Sequence, residues 1–275
     1  IGFPVKYELL SCNSWRQNLL LADRYRDNRV FLAGDSVHLV IPTGGLGMNT
    51  GIGDAFDLAW KLIGTIKGWG GPALLDSYEI ERRQIGDRNV GASRFANIGR
   101  QKWRSIAEKN IFSATPEGDA IKRRLVQIAD LEQRKGNRMI GAELGYRYVD
   151  SPCVDNIPGG PEHRIGEYTP NIWPDSRLPH CWLDDRSAIQ DRLPETYILL
   201  HLGPNQIDTT EIRNSYKNIR APVTDIRIKS KRIRDLYGYN FIILRPDMHV
   251  VWRGNKPPTN GAEIASVSTG HGYIR

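Results

Sequence analysis

Residues 29–62 read RVFLAGDSVHLVIPTGGLGMNTGIGDAFDLAWKL, and three kinds of local structure follow one another within them. Val30–Ala33 is a run of four apolar residues ending at Gly34, which predicts a buried strand whose end admits close approach of a ligand or another backbone. Asp35 then projects from the strand's C-terminal edge, the edge at which open α/β sheets bind ligands. A carboxylate there can accept hydrogen bonds from a sugar or polyol hydroxyl, or it can simply cap a turn. A loop follows, carrying Pro42 and five glycines at 44, 45, 47, 51 and 53. From near Asp54 the spacing predicts a helix with Ala55, Ala59, Leu62 and Ile66 on one face, widened by Phe56 and Trp60, hence mostly buried. Its N-terminus would turn free N–H groups and a partial positive charge back into the glycine loop, a site for an anion or an electron-rich carbonyl.

The motif content narrows the chemistry. GLGMNTG reads GxGxxxG and stands well past the strand, so by itself it is a weak dinucleotide signal. Walker A, HExxH and GxSxG sequences do not occur, which leaves phosphoryl transfer, zinc proteolysis and α/β-hydrolase chemistry without support. The six histidines are scattered without metal-pair spacing, so no metal is expected. His38 lies close to the loop, either beside a ligand or in a structural hydrogen bond.

Outward from this stretch the texture changes twice. Within Glu117–Met139, Ile121, Leu125, Ile128 and Leu131 recur at spacings of three and four, one face of an amphipathic helix. Residues 150–180 are rich in Pro and Gly and read as a long irregular connection, a candidate domain boundary. Beyond it an α/β sandwich is predicted: strand Thr196–His201, helix Glu211–Asn218, strand Val223–Ile228, helix Arg232–Tyr237, strands Phe241–Leu244 and His249–Trp252 around a turn, and a closing helix Asn260–Ser268.

The chain has 275 residues, 40% hydrophobic and 25% charged, and no apolar run long enough to span a bilayer. Its formal net charge is +7. The excess concentrates in residues 79–138 and 213–234, but neither stretch interleaves aromatics or shows a nucleic-acid module, so a solvated surface is expected. Cys12, Cys153 and Cys181 are far apart, with no CxxC, which fits a reduced, cytoplasmic protein.

Val30–Asp35 followed by His38, Pro42, GGLGMNTG and DAFDLAWKL closely resembles the second flavin-binding motif of FAD-dependent aromatic hydroxylases, the single-component flavoprotein monooxygenases of the phenol-hydroxylase type. LLDSYEIERR at Leu74–Arg83 is similar to that family's following helix. ELGYRYVDSP, RLPHCW and RPDMHVVWRG look like members with a thioredoxin-like C-terminal domain, here without the redox pair. The resemblance implies an α/β (α+β) chain with residues 1–90 as the C-terminal part of an FAD-binding hydroxylase domain, 91–165 as a helical and irregular connector, and 166–275 as the thioredoxin-like domain. It implies FAD as cofactor and NADPH or NADH as co-substrate, with one oxygen atom of O2 transferred to a phenolic or other aromatic compound. Asp35 would bind the ribityl hydroxyls, with Gly34 allowing the approach. Pro42 would lie beside the reactive edge of the isoalloxazine. Gly45, Leu46, Gly47 and Met48 would present N–H groups to its pyrimidine end, and Asn49 would bond the same end. No catalytic acid or base is assigned, and Trp15 and Arg16 are candidates for a substrate or interdomain surface. Position 57 is Asp where the family usually has Asn, read as a mild change on the helix. The family's opening GxGxxG unit is not in this sequence, and the chain begins with Ile1. Both point to a C-terminal portion of a longer parent whose missing half, and a second copy in a homodimer, would be its partners. The alternative is an association fragment that binds no flavin by itself.

Overall fold

The computed structural model describes residues 4–272 apart from Ala107, Asn156 and Gln206. Ile1, Gly2 and Phe3 lie outside the described residues. Residues 4–19 form no regular element. Two short antiparallel ladders follow: β1 (Leu20–Leu21) pairs with β4 (His38–Leu39), and β2 (Arg26–Asp27) with β3 (Val30–Phe31). Val30–Ala33 is therefore not the buried four-residue strand expected. Only two of its residues are strand, and Val30 is 62% exposed. Among the described residues β3 pairs with β2 alone.

Helix α1 (Leu46–Ile66) begins eight residues before the expected Asp54. Gly45 is its N-cap at φ +68°, in the left-handed region that glycine enters without strain. The later glycines lie within the helix and not in a loop. Gly51 is there for contact, since a Cβ would stand 3.2 Å from the Gly34 Cα. The burial of α1 departs from expectation in part. Trp60 is buried and Leu62 half-buried as expected, but Thr50, Asp54, Asp57, Lys61 and Gly64 are buried as well, while Ala55, Phe56, Ala59 and Ile66 face outward. Polar side chains can occupy this inner face because each finds a partner, as described below.

Helix α2 (Pro72–Arg104) runs antiparallel to α1, with Pro72 at its first position, where a missing N–H costs nothing. Helix α3 (Pro116–Asn137) is capped by the Thr115 hydroxyl, which accepts from Gly118 N at 3.2 Å. Its predicted face is only half buried, and Leu131 is exposed. Instead, Glu132 turns inward and holds Lys102 and Lys135 at 2.6 Å each. A short α4 (Ile140–Leu144) leads into the irregular stretch.

The C-terminal elements fall within two residues of expectation: β5 (Tyr197–His201), α5 (Thr210–Asn218), β6 (Val223–Arg227), α6 (Lys231–Tyr237), β7 (Phe241–Leu244), β8 (Val250–Gly254) and α7 (Gly261–Ser268). The sheet order is β6-β5-β7-β8, with β5 parallel to β6 and antiparallel to β7. Every residue of β5 and β7 is buried, because both sheet faces are covered. Ile198, Leu200, Ile242 and Leu244 pack with Ile233 and Tyr237 of α6. Tyr197, Leu199, Phe241 and Ile243 pack with Ile212 and Tyr216 of α5, Ile264 of α7, and Trp60, Trp69 and Leu74 of the α1–α2 corner. The same corner is tied by backbone, with Gly71 N donating to Thr269 O (2.8 Å) and Ala73 N to Gly270 O (3.0 Å). Residues 150–180 are irregular but anchored on β8. Asp155 N donates to Val251 O, and Asp175 N to Val250 O.

Candidate functional site

Helix α1 is 21 residues long, and its first N–H groups have no partner inside the helix. They open toward a groove of about 450 Å³ whose lining includes Trp15, Asp35, Pro42, Gly45, Gly47 and Met48. The chain reaches this geometry through a tight turn in which Gly45 N donates to Pro42 O at 3.2 Å. Behind the turn, Ser93 Oγ of α2 donates to Ile41 O at 2.9 Å, fixing the loop against the long helix.

Asp35 lies exposed on the groove wall, in a 3-10 turn over Gly34–Ser36. Ser36, and not Asp35, closes that turn: its hydroxyl donates to Ala33 O (2.7 Å) and accepts from Ala33 N (3.1 Å). The Asp35 carboxylate makes no hydrogen bond among the described residues and is free to accept from a ligand. No Cβ placed on Gly45 would meet an atom within 4 Å, so the mouth of the helix is open. An unengaged carboxylate, an open left-handed glycine and free helix N–H groups suit a ligand with polyol hydroxyls and an electron-rich ring edge, which is the donor set of a flavin.

The remaining residues expected at the site do not line the groove. The Gly34 N–H donates to Asp54 Oδ2 at 3.0 Å. The Leu46 side chain is in the core with Ala92, Ala96, Met139 and Ala142, so that only its backbone is available. Asn49 Nδ2 donates back to Gly45 O at 3.0 Å. His38 is buried, with Nε2 at 2.7 Å from Asp54 Oδ2, and takes the structural role. Asp54, expected only at the helix start, also accepts from Arg82 Nε at 2.8 Å. Burial works against its charge, but the bonds from His38 and Arg82 hold its carboxyl below the usual range.

A second buried cluster joins α1 and α2 to the sheet. Lys61 Nζ donates to Asp57 Oδ2 (2.7 Å) and Glu81 Oε2 (2.6 Å). Arg245 donates to Glu81 Oε1 (2.6 Å) and Oε2 (3.0 Å), and to Asp247. Asp57 is therefore more than a mild change on the helix. It sits 1% exposed in this network, where burial pushes its carboxyl up to about 7 against the pull of Lys61. Burial is overcome at Glu81, where Arg245 and Lys61 bring the carboxyl down to about 2. The one hint of this cluster in the sequence is the four-residue spacing of Asp57 and Lys61.

Residues 4–93 match the FAD binding domain family. Along more than nine-tenths of its length the chain is related to FAD-dependent aromatic and polyketide monooxygenases. It is 31% identical over 267 residues to an FAD-dependent monooxygenase, apdD, of Emericella nidulans, covering 92% of this chain and 43% of that protein. To the 4-methyl-5-nitrocatechol 5-monooxygenase of a Burkholderia species it is 32% identical, covering 92% of this chain and 45% of that protein. Among solved structures, the rebeccamycin biosynthetic enzyme RebC with reduced flavin matches with a TM-score of 0.86 at 30% identity, over 99% of this chain and 51% of that one. The chain spans about half the length of the curated relatives it matches.

Proposed function

We propose that the protein carrying this chain is an FAD-dependent monooxygenase that hydroxylates a phenolic or other aromatic compound with NADPH or NADH and O2. The observation that carries the reading is the groove at the head of α1, with Asp35 unengaged on its wall. In this reading Asp35 accepts from the ribityl hydroxyls. The N–H groups of Leu46, Gly47 and Met48, with the positive end of α1, stabilise negative charge at the pyrimidine edge. Pro42 borders the reactive edge through its backbone, and Asn49 orders the turn through Gly45 O. Bound FAD would supply acceptance of a hydride from the nicotinamide and activation of O2. Trp15 and Arg16 flank the groove and would face the ring system or its substrate.

Met48, Ile52, Phe56, Ile63 and Ile66 form an exposed apolar stripe on α1. We read this stripe as the seat of the adenosine-holding half of the flavin domain. We also propose that residues 166–275 form a thioredoxin-like domain without a redox pair, acting in subunit contacts such as a homodimer. A reducing, cytoplasmic setting agrees with its three free cysteines. No helix among the described residues is long and apolar enough to cross a membrane.

The test is an FAD titration of the 275-residue chain and of the longer protein, followed by flavin fluorescence, with Asp35→Ala beside each. Stoichiometric binding by the longer protein that Asp35→Ala weakens, with its unfolding midpoint unchanged, supports the reading. Unchanged flavin occupancy in Asp35→Ala removes Asp35 from the site.

A further inference from the structure

The basic excess of residues 213–234, expected as a solvated surface, is not spread evenly over the C-terminal sheet. Arg213, Arg227, Lys229, Lys231 and Arg234 converge on one crevice. Chain topology makes that crevice. β5 and β6 are adjacent and parallel, yet the chain leaves β5 for α5 on one sheet face and β6 for α6 on the other. Where neighbouring connections part to opposite faces, an open sheet leaves a cleft outside the carboxyl ends of its strands, the place where such sheets bind ligands. Two lobes of about 490 and 460 Å³ occupy it here, with Arg227 on the wall of both. Neither lobe shares a lining residue with the flavin groove.

The first lobe offers both acceptors and donors. His201, at the end of β5, has a side chain only 10% exposed, and its Nε2 lies 2.9 Å from Asp225 Oδ1. A carboxylate only accepts, so in the neutral ring Nε2 carries the proton and Nδ1 is the acceptor. That Nδ1 has no partner among the described residues and is not sealed from solvent, so it opens into the lobe that the ring lines. Thr209 donates its hydroxyl to the same Asp225 oxygen at 2.8 Å and therefore does not cap α5. Thr210 N donates to Asp208 Oδ1 at 2.9 Å, while the N–H groups of Glu211 and Ile212 have no partner among the described residues. Arg213 borders the lobe; its Nε is sealed, but its terminal nitrogens are open, with Nη1 3.5 Å from Asp225 Oδ2.

The charged residues lining the second lobe are all cations. Lys229 and Lys231 are exposed and form no ion pair among the described residues. Arg227 Nη2 donates to Pro204 O at 2.9 Å and Arg234 Nε to Asn240 Oδ1 at 2.8 Å, both neutral acceptors. Like charges around one hollow repel, and a bound anion relieves that repulsion.

We propose that this crevice binds a phosphorylated, hydroxyl-bearing small molecule, a sugar phosphate or a nucleotide. The phosphate sits in the second lobe with Arg227, Lys229, Lys231 and Arg234, where its hydrogen bonds are charge-assisted. The body lies in the first lobe. Its hydroxyls donate to His201 Nδ1 and Asp208, and its acceptor atoms meet Arg213 and the free N–H groups of α5. The site stands apart from the flavin reading, and its test reads binding without flavin turnover.

Ribose 5-phosphate and adenosine 5′-monophosphate are titrated calorimetrically into the full-length protein in excess FAD, so that the flavin's own phosphate contacts are filled. Inorganic phosphate is titrated for comparison. At least one of the two ligands is expected to saturate a single site, roughly tenfold or more tighter than inorganic phosphate. Lys229→Gln/Lys231→Gln, both exposed changes, is expected to weaken that binding roughly tenfold or more. Lys122→Gln/Arg123→Gln on α3 removes the same charge outside the crevice and is expected to weaken it by about twofold at most. Tighter binding of ribose 5-phosphate identifies a sugar phosphate, and tighter binding of the monophosphate a nucleotide. The proposal is overturned if neither ligand saturates, or if neither binds more tightly than inorganic phosphate. It is overturned as well if Lys229→Gln/Lys231→Gln weakens binding no more than the α3 pair does.

Discussion

Replacing Arg245 by Met tests whether charge, rather than apolar contact alone, fastens the C-terminal sheet to the flavin-side helices. Arg245 is 0% exposed, and its guanidinium spans Glu81 of α2 and Asp247 beyond β7. With it in place, Asp57, Glu81 and Asp247 face two cations, Lys61 and Arg245; without it the three carboxylates face Lys61 alone. Removing one member of a buried ion pair costs about 3–5 kcal/mol, because the partner is left buried and uncompensated. Methionine restores part of the lost volume against Trp60, whose ring lies 5.1 Å from the guanidinium carbon, so the cost is chiefly electrostatic. At roughly 2–4 °C per kcal/mol for a protein of this size, the midpoint should fall by about 10 °C. The assay is urea and thermal unfolding at pH 7.5 and again at pH 5. In the wild type, Glu81 is held down to about 2, so its contribution is present above the ordinary carboxylate range and is lost as pH falls toward 2. In the variant, Glu81 and Asp247 lose the charge that held them ionised. Their folded-state protonation then moves upward, and the deficit should shrink as pH falls and they take up protons. A loss under about 1 kcal/mol at pH 7.5, or a deficit that grows toward pH 5, would refute the reasoning.

Three further outcomes are expected. Asp57→Asn should be at least as stable as the wild type at pH 8. The folded Asp57 carboxyl is raised to about 7, so its contribution is full below the unfolded value near 4 and lost as pH rises through 7. Unfolding midpoints measured from pH 4 to 8 should therefore decline less in the variant than in the wild type. Gly45→Ala should destabilise the fold by about 1–2 kcal/mol, because φ +68° is a left-handed conformation. It should also weaken FAD binding, since the turn aims the N–H groups of α1; unchanged binding in the flavin titration would separate the turn from the site. Arg82→Met should cost about 3–5 kcal/mol in urea, because it leaves Asp54 buried with only the His38 ring and the Gly34 N–H.

Much of the C-terminal sheet was legible in the sequence, because Tyr197–His201 and Phe241–Leu244 are short apolar runs bounded by turns and become strands buried on both faces. The flavin motif was legible for another reason: Asp35, Pro42 and the glycines stand in a fixed order that a family resemblance can carry. Periodicity failed at α1. The apolar residues Ala55, Ala59 and Ile66 suggested its buried face, but the folded chain turns Asp54, Asp57 and Lys61 inward. Their partners, Arg82, Glu81 and Arg245, lie from 20 to 188 positions away, beyond the reach of any local pattern. By itself, then, the sequence determined local elements and the flavin-like loop, since both depend on short-range spacing and turn chemistry. Only the tertiary structure decided which face of α1 is inside, because a buried charge is stable only where distant residues converge to pair it.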